Sequence, residues 1–117
     1  MQHEPGNTRT VYVVQVDNNK DLSDAKRYGA LRAVFANPRK PYDTADLLGK
    51  ARRVLSNWEP GDYLLMLGDP ALCAVCMSVV SEHADVVNLL SWDRNTFMYL
   101  PQRWDFDSMD DSFVTAE

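Results

Sequence analysis

The chain has no long apolar run, few cysteines, few histidines and no positive excess, and each shortage removes a class of protein. No stretch of its 117 residues approaches the about 18 consecutive apolar residues that a membrane-spanning helix needs. The first ten residues are polar, so no signal peptide is expected, and the sequence predicts a cytoplasmic protein without membrane contact. Two cysteines, Cys73 and Cys76, cannot supply the disulfide framework of a small secreted domain. The two histidines are His3, near the terminus, and His83, at a predicted helix end, which leaves nucleophilic catalysis without an evident base. Neither G-x-G-x-x-G nor G-K-[ST] occurs, and no Ser sits on a strand-to-helix elbow. The sequence therefore leans away from an enzyme, and it predicts no cofactor and no metal.

The net charge of −5 is unevenly distributed. Asp105, Asp107, Asp110, Asp111 and Glu117 lie in residues 105–117 with no Lys or Arg, and the 12 acidic residues elsewhere balance 12 basic ones. A neutral body lacks the basic face that neutralises phosphates, so nucleic acid is not expected as a partner. Lys50, Arg52 and Arg53 read as the solvated face of a helix.

What the chain does contain is centred on residues 61–83. Tyr63-Leu64-Leu65-Met66-Leu67 is apolar without alternation, as in a strand covered on both faces. Gly68-Asp69-Pro70 follows, with Asp69 placed as N-cap and Pro70 at the first helical position, where no amide donor is needed. The helix turns Leu72, Val75, Cys76, Val79 and Val80 toward the sheet. Cys73-Ala-Val-Cys76 has redox spacing, but Cys76 falls on the packing face, so core packing is the expected role.

Read in order, residues 1–9 form a loose terminus, residues 10–104 an α/β domain and residues 105–117 an acidic tail. Val11–Val16 is a second nearly continuous apolar run, ending in the turn residues Asp17-Asn18-Asn19. A short helix over 22–28, a strand over 31–36 nearer the sheet edge and a Pro-containing loop follow. Leu47, Leu48, Ala51, Val54, Leu55 and Trp58 mark one face of an amphipathic helix that Asp43 or Thr44 caps. Val86–Trp92 and Phe97–Leu100 then form a hairpin, with Pro101 marking an edge. The order β-α-β-α-β-α-β-β predicts a single three-layer domain built on a mostly parallel sheet. About five strands are expected, in the order 2-1-3-4-5, with a C-terminal antiparallel hairpin and a Rossmann-like arrangement.

Two candidate sites follow. The carboxyl ends of the first and third strands bring Asp17, Asn18 and Asn19 beside Gly68 and Asp69, where a nucleotide-like ligand or Mg²⁺-dependent phosphate chemistry would sit. Turn and cap roles account for the same residues. In the tail, Trp104, Phe106, Met109 and Phe113 alternate with acids that include Asp110 and Asp111, a composition suited to binding a partner protein. The competing reading makes Trp104 and Phe106 an extension of the last strand. Self-association through the hairpin edge is a third expectation, since Pro101 protects only part of it.

The stretches Asn19–Gly29, Asp62–Gly68 and Val86–Arg94 give the chain a resemblance to a group of small α/β proteins of tailed phages and prophages. That resemblance covers most of residues 11–101 and brings no catalytic residues with it. It implies a phage-encoded accessory protein working in the host cell.

Overall fold

The structure is a computed structural model that describes residues 9–17 and 19–106. Along the chain come β1 (Thr10–Gln15), a 3-10 helix (Ser23–Tyr28), β2 (Ala30–Phe35), α1 (Thr44–Leu55), β3 (Tyr63–Leu65), α2 (Pro70–Ser81), β4 (Val86–Asp93) and β5 (Met98–Asp105). The strands form one sheet in the order β2-β1-β3-β4-β5. Neighbours are parallel except β4 and β5, which pair antiparallel. This is the predicted order, with the two most apolar runs side by side at the centre.

The unbroken apolar runs are explained by cover on both faces. Tyr12, Val14, Leu64 and Val87 pack under α1 and α2 against Leu55, Leu72, Cys76 and Val80. On the opposite face Val11, Val13, Leu65 and Leu90 are closed by Ala25 of the 3-10 helix and by Tyr99. Each fully buried aliphatic side chain contributes about 1.5–3 kcal/mol, so the helical face carries the larger share of the stability. Trp58, beyond the end of α1, stacks on Tyr12 with centroids 5.7 Å apart.

The helix ends follow the local chemistry. Asp43 accepts the amides of Ala45 and Asp46 at 3.0 and 3.3 Å, and Asp69 accepts that of Ala71 at 2.8 Å, with Pro70 opening α2. At the amino ends of β1 and β3, buried Asp62 accepts the amides of Thr10 at 2.9 Å and Glu59 at 2.8 Å. That carboxylate ties the start of β1 to the turn before β3.

Four local features differ from the sequence expectation. The connection over 23–28 is a 3-10 helix, because Asp21 takes the Ser23 amide and six residues leave no room for a longer α-helix. β3 stops at Leu65 because the Leu67 amide turns back onto the Leu65 carbonyl at 2.9 Å. Phe97 belongs to the hairpin turn, at φ 56°, where Asp93 holds both the amide and the hydroxyl of Thr96.

The fourth is the length of β5, which passes Pro101 and runs to Asp105, so Trp104 and Asp105 are strand residues. The reason is parity. The Tyr99 amide donates outward to Asp24 at 2.7 Å, and the Tyr99 carbonyl accepts from Tyr28 and Arg27 at 2.9 and 3.1 Å. Pro101, two residues on, has the same orientation, so its missing donor costs no bond to β4. The same three side chains occupy the outer edge of β5 at Tyr99, where another strand would otherwise add. Among the described residues no helix is long and apolar enough to cross a membrane.

Candidate functional site

The strand order reverses between β1 and β3, and a cleft of about 500 Å³ opens there at the carboxyl ends of the strands. Gln15, Asp17, Asn19, Asn37 and Gly68 contribute to its lining. Gly68 sits at φ 112°, where a Cβ would collide with the Gln15 side chain, its own Cβ only 2.5 Å away. That close approach lets the Asp69 amide donate to Gln15 Oε1 at 2.8 Å. Gln15 was not singled out in the sequence; the available signal was a lone amide interrupting the apolar run Val11–Val16.

The structure brings Asp17, Asn19 and Gly68 together on this cleft and turns the Asp69 carboxylate to other work. Asp69 Oδ1 accepts the Ala71 amide, while Oδ2 accepts the Tyr42 hydroxyl at 2.9 Å and lies 3.3 Å from Lys40 Nζ. The Ala71 amide, then the Tyr42 hydroxyl, with Lys40 assisting, hold this carboxyl below its usual range. Asp17 closes a turn by accepting the Asn19 amide at 2.9 Å on its side chain and the Lys20 amide at 3.0 Å on its carbonyl. Asn18 lies outside the described residues.

Three donors already surround Asp69, and among the described residues no group of three or more His, Cys, Asp or Glu is placed to hold a metal. Among the described residues Asp17 is the one charged side chain lining the cleft, and its sign repels phosphate.

Two smaller hollows continue the cleft. One of about 470 Å³ shares Ala36 and Asn37 with it and carries Arg39, Asp43, Asp46 and Lys50. The other, about 260 Å³, shares Asn19 and is walled by Lys20, Asp21, Leu67, Trp92 and Tyr99. The three together make a trough across the strand ends.

The C-terminal candidates lie at the opposite end of the sheet, because β5 runs against its neighbours. Trp104 faces Val87 across the β4–β5 pair and is 37% exposed. The Phe106 amide donates to the Asp85 carbonyl at 2.9 Å, and the ring packs on the larger core. Met109, Asp110, Asp111 and Phe113 lie outside the described residues. Cys76 is fully buried and its thiol is pushed up to about 12 by burial, while burial and then Asp69 raise that of Cys73. Neither sulfur is poised as a thiolate.

No curated protein and no solved structure matches the chain. A family model described as phage Pam3 gp32-like protein matches residues 9–106, from the residue before β1 to the residue after β5. The chain therefore belongs to the phage Pam3 gp32-like protein family.

Proposed function

We propose that this phage protein is a non-enzymatic accessory factor that binds a partner protein in the host cytoplasm, through β5 and the acidic aromatic segment after it. One observation carries the reading. Residues opposite one another in an antiparallel pair share a face, so Met98, Leu100 and Trp104 lie on the same face as Val87, over which the helices pack. They are nonetheless 37%, 39% and 37% exposed, a stripe of large apolar side chains on a single edge strand. Such a stripe is a contact surface in waiting. It leads into residues 105–117, whose five acids and no bases suit a partner that sets basic groups around an apolar ledge.

The test compares three baits in lysate of phage-infected cells: the full chain, a chain ending at Phe106, and the full chain carrying Leu100→Glu. The reading expects a protein retained by the full chain, lost with either variant, and released by raising the salt to about 0.5 M. Identical retention by all three baits would defeat it. A nucleotide or Mg²⁺ site at the cleft has less support, since the Asp69 carboxylate is already engaged by the Ala71 amide, the Tyr42 hydroxyl and Lys40.

A further inference from the structure

We propose that the trough across the strand ends binds an uncharged carbohydrate, seated between the side-chain amides of the cleft and the indole of Trp92. The inference concerns the end of the sheet remote from Trp104 and stands independently of the partner-binding reading.

The first support is the chemistry of the lining. Gln15 Oε1 is held by the Asp69 amide, which fixes the amide plane, and its Nε2 makes no hydrogen bond to another described residue. The side chains of Asn19 and Asn37 make no hydrogen bond to another described residue. Asp17 Oδ1 is taken by the Asn19 amide, and Oδ2 remains an acceptor. Among the described residues the cleft therefore offers three primary amides, each able to donate and accept, and one carboxylate that only accepts. Adjacent hydroxyl groups answer that set, because each hydroxyl donates one bond and accepts others. A phosphate answers it less well, because its charge has the same sign as that of Asp17.

The second support is the aromatic wall. Trp92 lines the hollow that shares Asn19 with the cleft. Its ring meets Tyr99 at 5.0 Å and Phe97 at 6.5 Å, both edge-on, which fixes its orientation while 44% of the residue stays exposed. An indole face is electron-rich and accepts the weakly positive C–H face of a sugar ring, as it accepts the edge of another aromatic ring. An exposed ring beside a few convergent polar groups has the form of a small-molecule site.

The test titrates the ¹⁵N-labelled full chain with glucose, galactose, N-acetylglucosamine and rhamnose, each up to about 50 mM. Parallel titrations use inorganic phosphate, AMP with Mg²⁺, and an uncharged alanine tetrapeptide. The readouts are the side-chain amide signals of Gln15, Asn19 and Asn37 and the indole signal of Trp92. The proposal expects at least one sugar to move all of these saturably, with a millimolar dissociation constant. Trp92→Ala should weaken that affinity about tenfold or more, and Asn19→Ala and Asn37→Ala severalfold each. Both asparagines are exposed, so these variants keep the fold if Trp92→Ala does not. Ser78→Ala, on the exposed side of α2 and outside the lining of the trough, should leave the affinity unchanged. Absence of any saturable sugar shift would overturn the proposal. So would saturation by phosphate, AMP or the peptide alone, or retention of full affinity when both asparagines are replaced.

Discussion

Replacing Gly68 by alanine should be a costly single-methyl change, and the cost can be worked from its surroundings. At φ 112° an L side chain is strained, which costs about 1–3 kcal/mol. The added Cβ also overlaps the Gln15 side chain, whose Oε1 holds the Asp69 amide at 2.8 Å. Displacing Gln15 forfeits that bond, worth about 0.5–1.5 kcal/mol net. The expected loss is about 2–4 kcal/mol, or about 10–25 °C in melting temperature for a domain of this size. Gly49 supplies the control. It lies exposed in the middle of α1 with nothing within 4 Å of a built Cβ, so Gly49→Ala should stabilise by about 0.5–1 kcal/mol. Urea and thermal unfolding followed by circular dichroism would measure both variants. If Gly68→Ala unfolded within about 0.5 kcal/mol of the parent, the close approach at the cleft would have no energetic meaning. The cleft geometry drawn from it would then fail.

Three further outcomes follow from the packing and the charges. Cys76→Ser should destabilise by about 1–3 kcal/mol by burying an unpaired hydroxyl, whereas Cys73→Ser should be mild; iodoacetamide labelling at pH 7.5 should leave Cys76 unmodified until the protein unfolds. Leu64→Ala, in a fully buried position under the helices, should cost about 2–5 kcal/mol in urea unfolding. The Asp24 carboxyl is held below its ordinary 3.8, first by the Tyr99 amide and then by Arg27, so its contribution to stability is present above about pH 4 and fades as pH falls through its folded value. Asp24→Asn should therefore lower the urea midpoint at pH 7 and change it much less at pH 3. An equal effect at both pH values would contradict the edge-sealing role assigned to Asp24.

Much of the architecture was legible because its signals are local and agree with one another. Continuous apolar runs at Val11–Val14 and Tyr63–Leu65 fixed the central strands, and Asp43 and Asp69-Pro70 fixed two helix starts. What was not legible depends on partners distant in sequence. Pro101, Gln102 and Arg103 look like the end of a strand until parity with Tyr99 shows that the missing amide would point away from β4. Asp69 looks available to a ligand until the Pro38–Tyr42 loop brings Tyr42 and Lys40 to its second oxygen. Gln15 looks like an interruption of a strand until Gly68 passes close enough for its amide to matter. Asp17, Asn19 and Gly68 do meet at the strand ends, as their place in the sequence order implies, while the bonds that engage Asp69 and Asp17 there depend on Tyr42, Lys40 and the turn after Asp17.

The point at which the domain ends can be argued from β5 and measured. The sequence reading placed the boundary after residue 104; in the structure Asp105 is paired with Val86 and the Phe106 amide is bonded to the Asp85 carbonyl. Phe106 packs on the larger core, and Trp104 stands opposite Val87 on the neighbouring strand. Partial burial of two aromatic side chains and loss of the terminal ladder bonds amount to about 2–4 kcal/mol between a chain ending at Phe106 and one ending at Arg103. The shorter chain should melt at least about 10 °C lower. If the two melted together, Trp104 and Phe106 would contribute nothing to the fold. The whole segment from Trp104 onward would then be free for a partner. If they differ as expected, Phe106 belongs to the domain, and the partner-binding surface consists of the exposed side of β5 and the residues beyond 106.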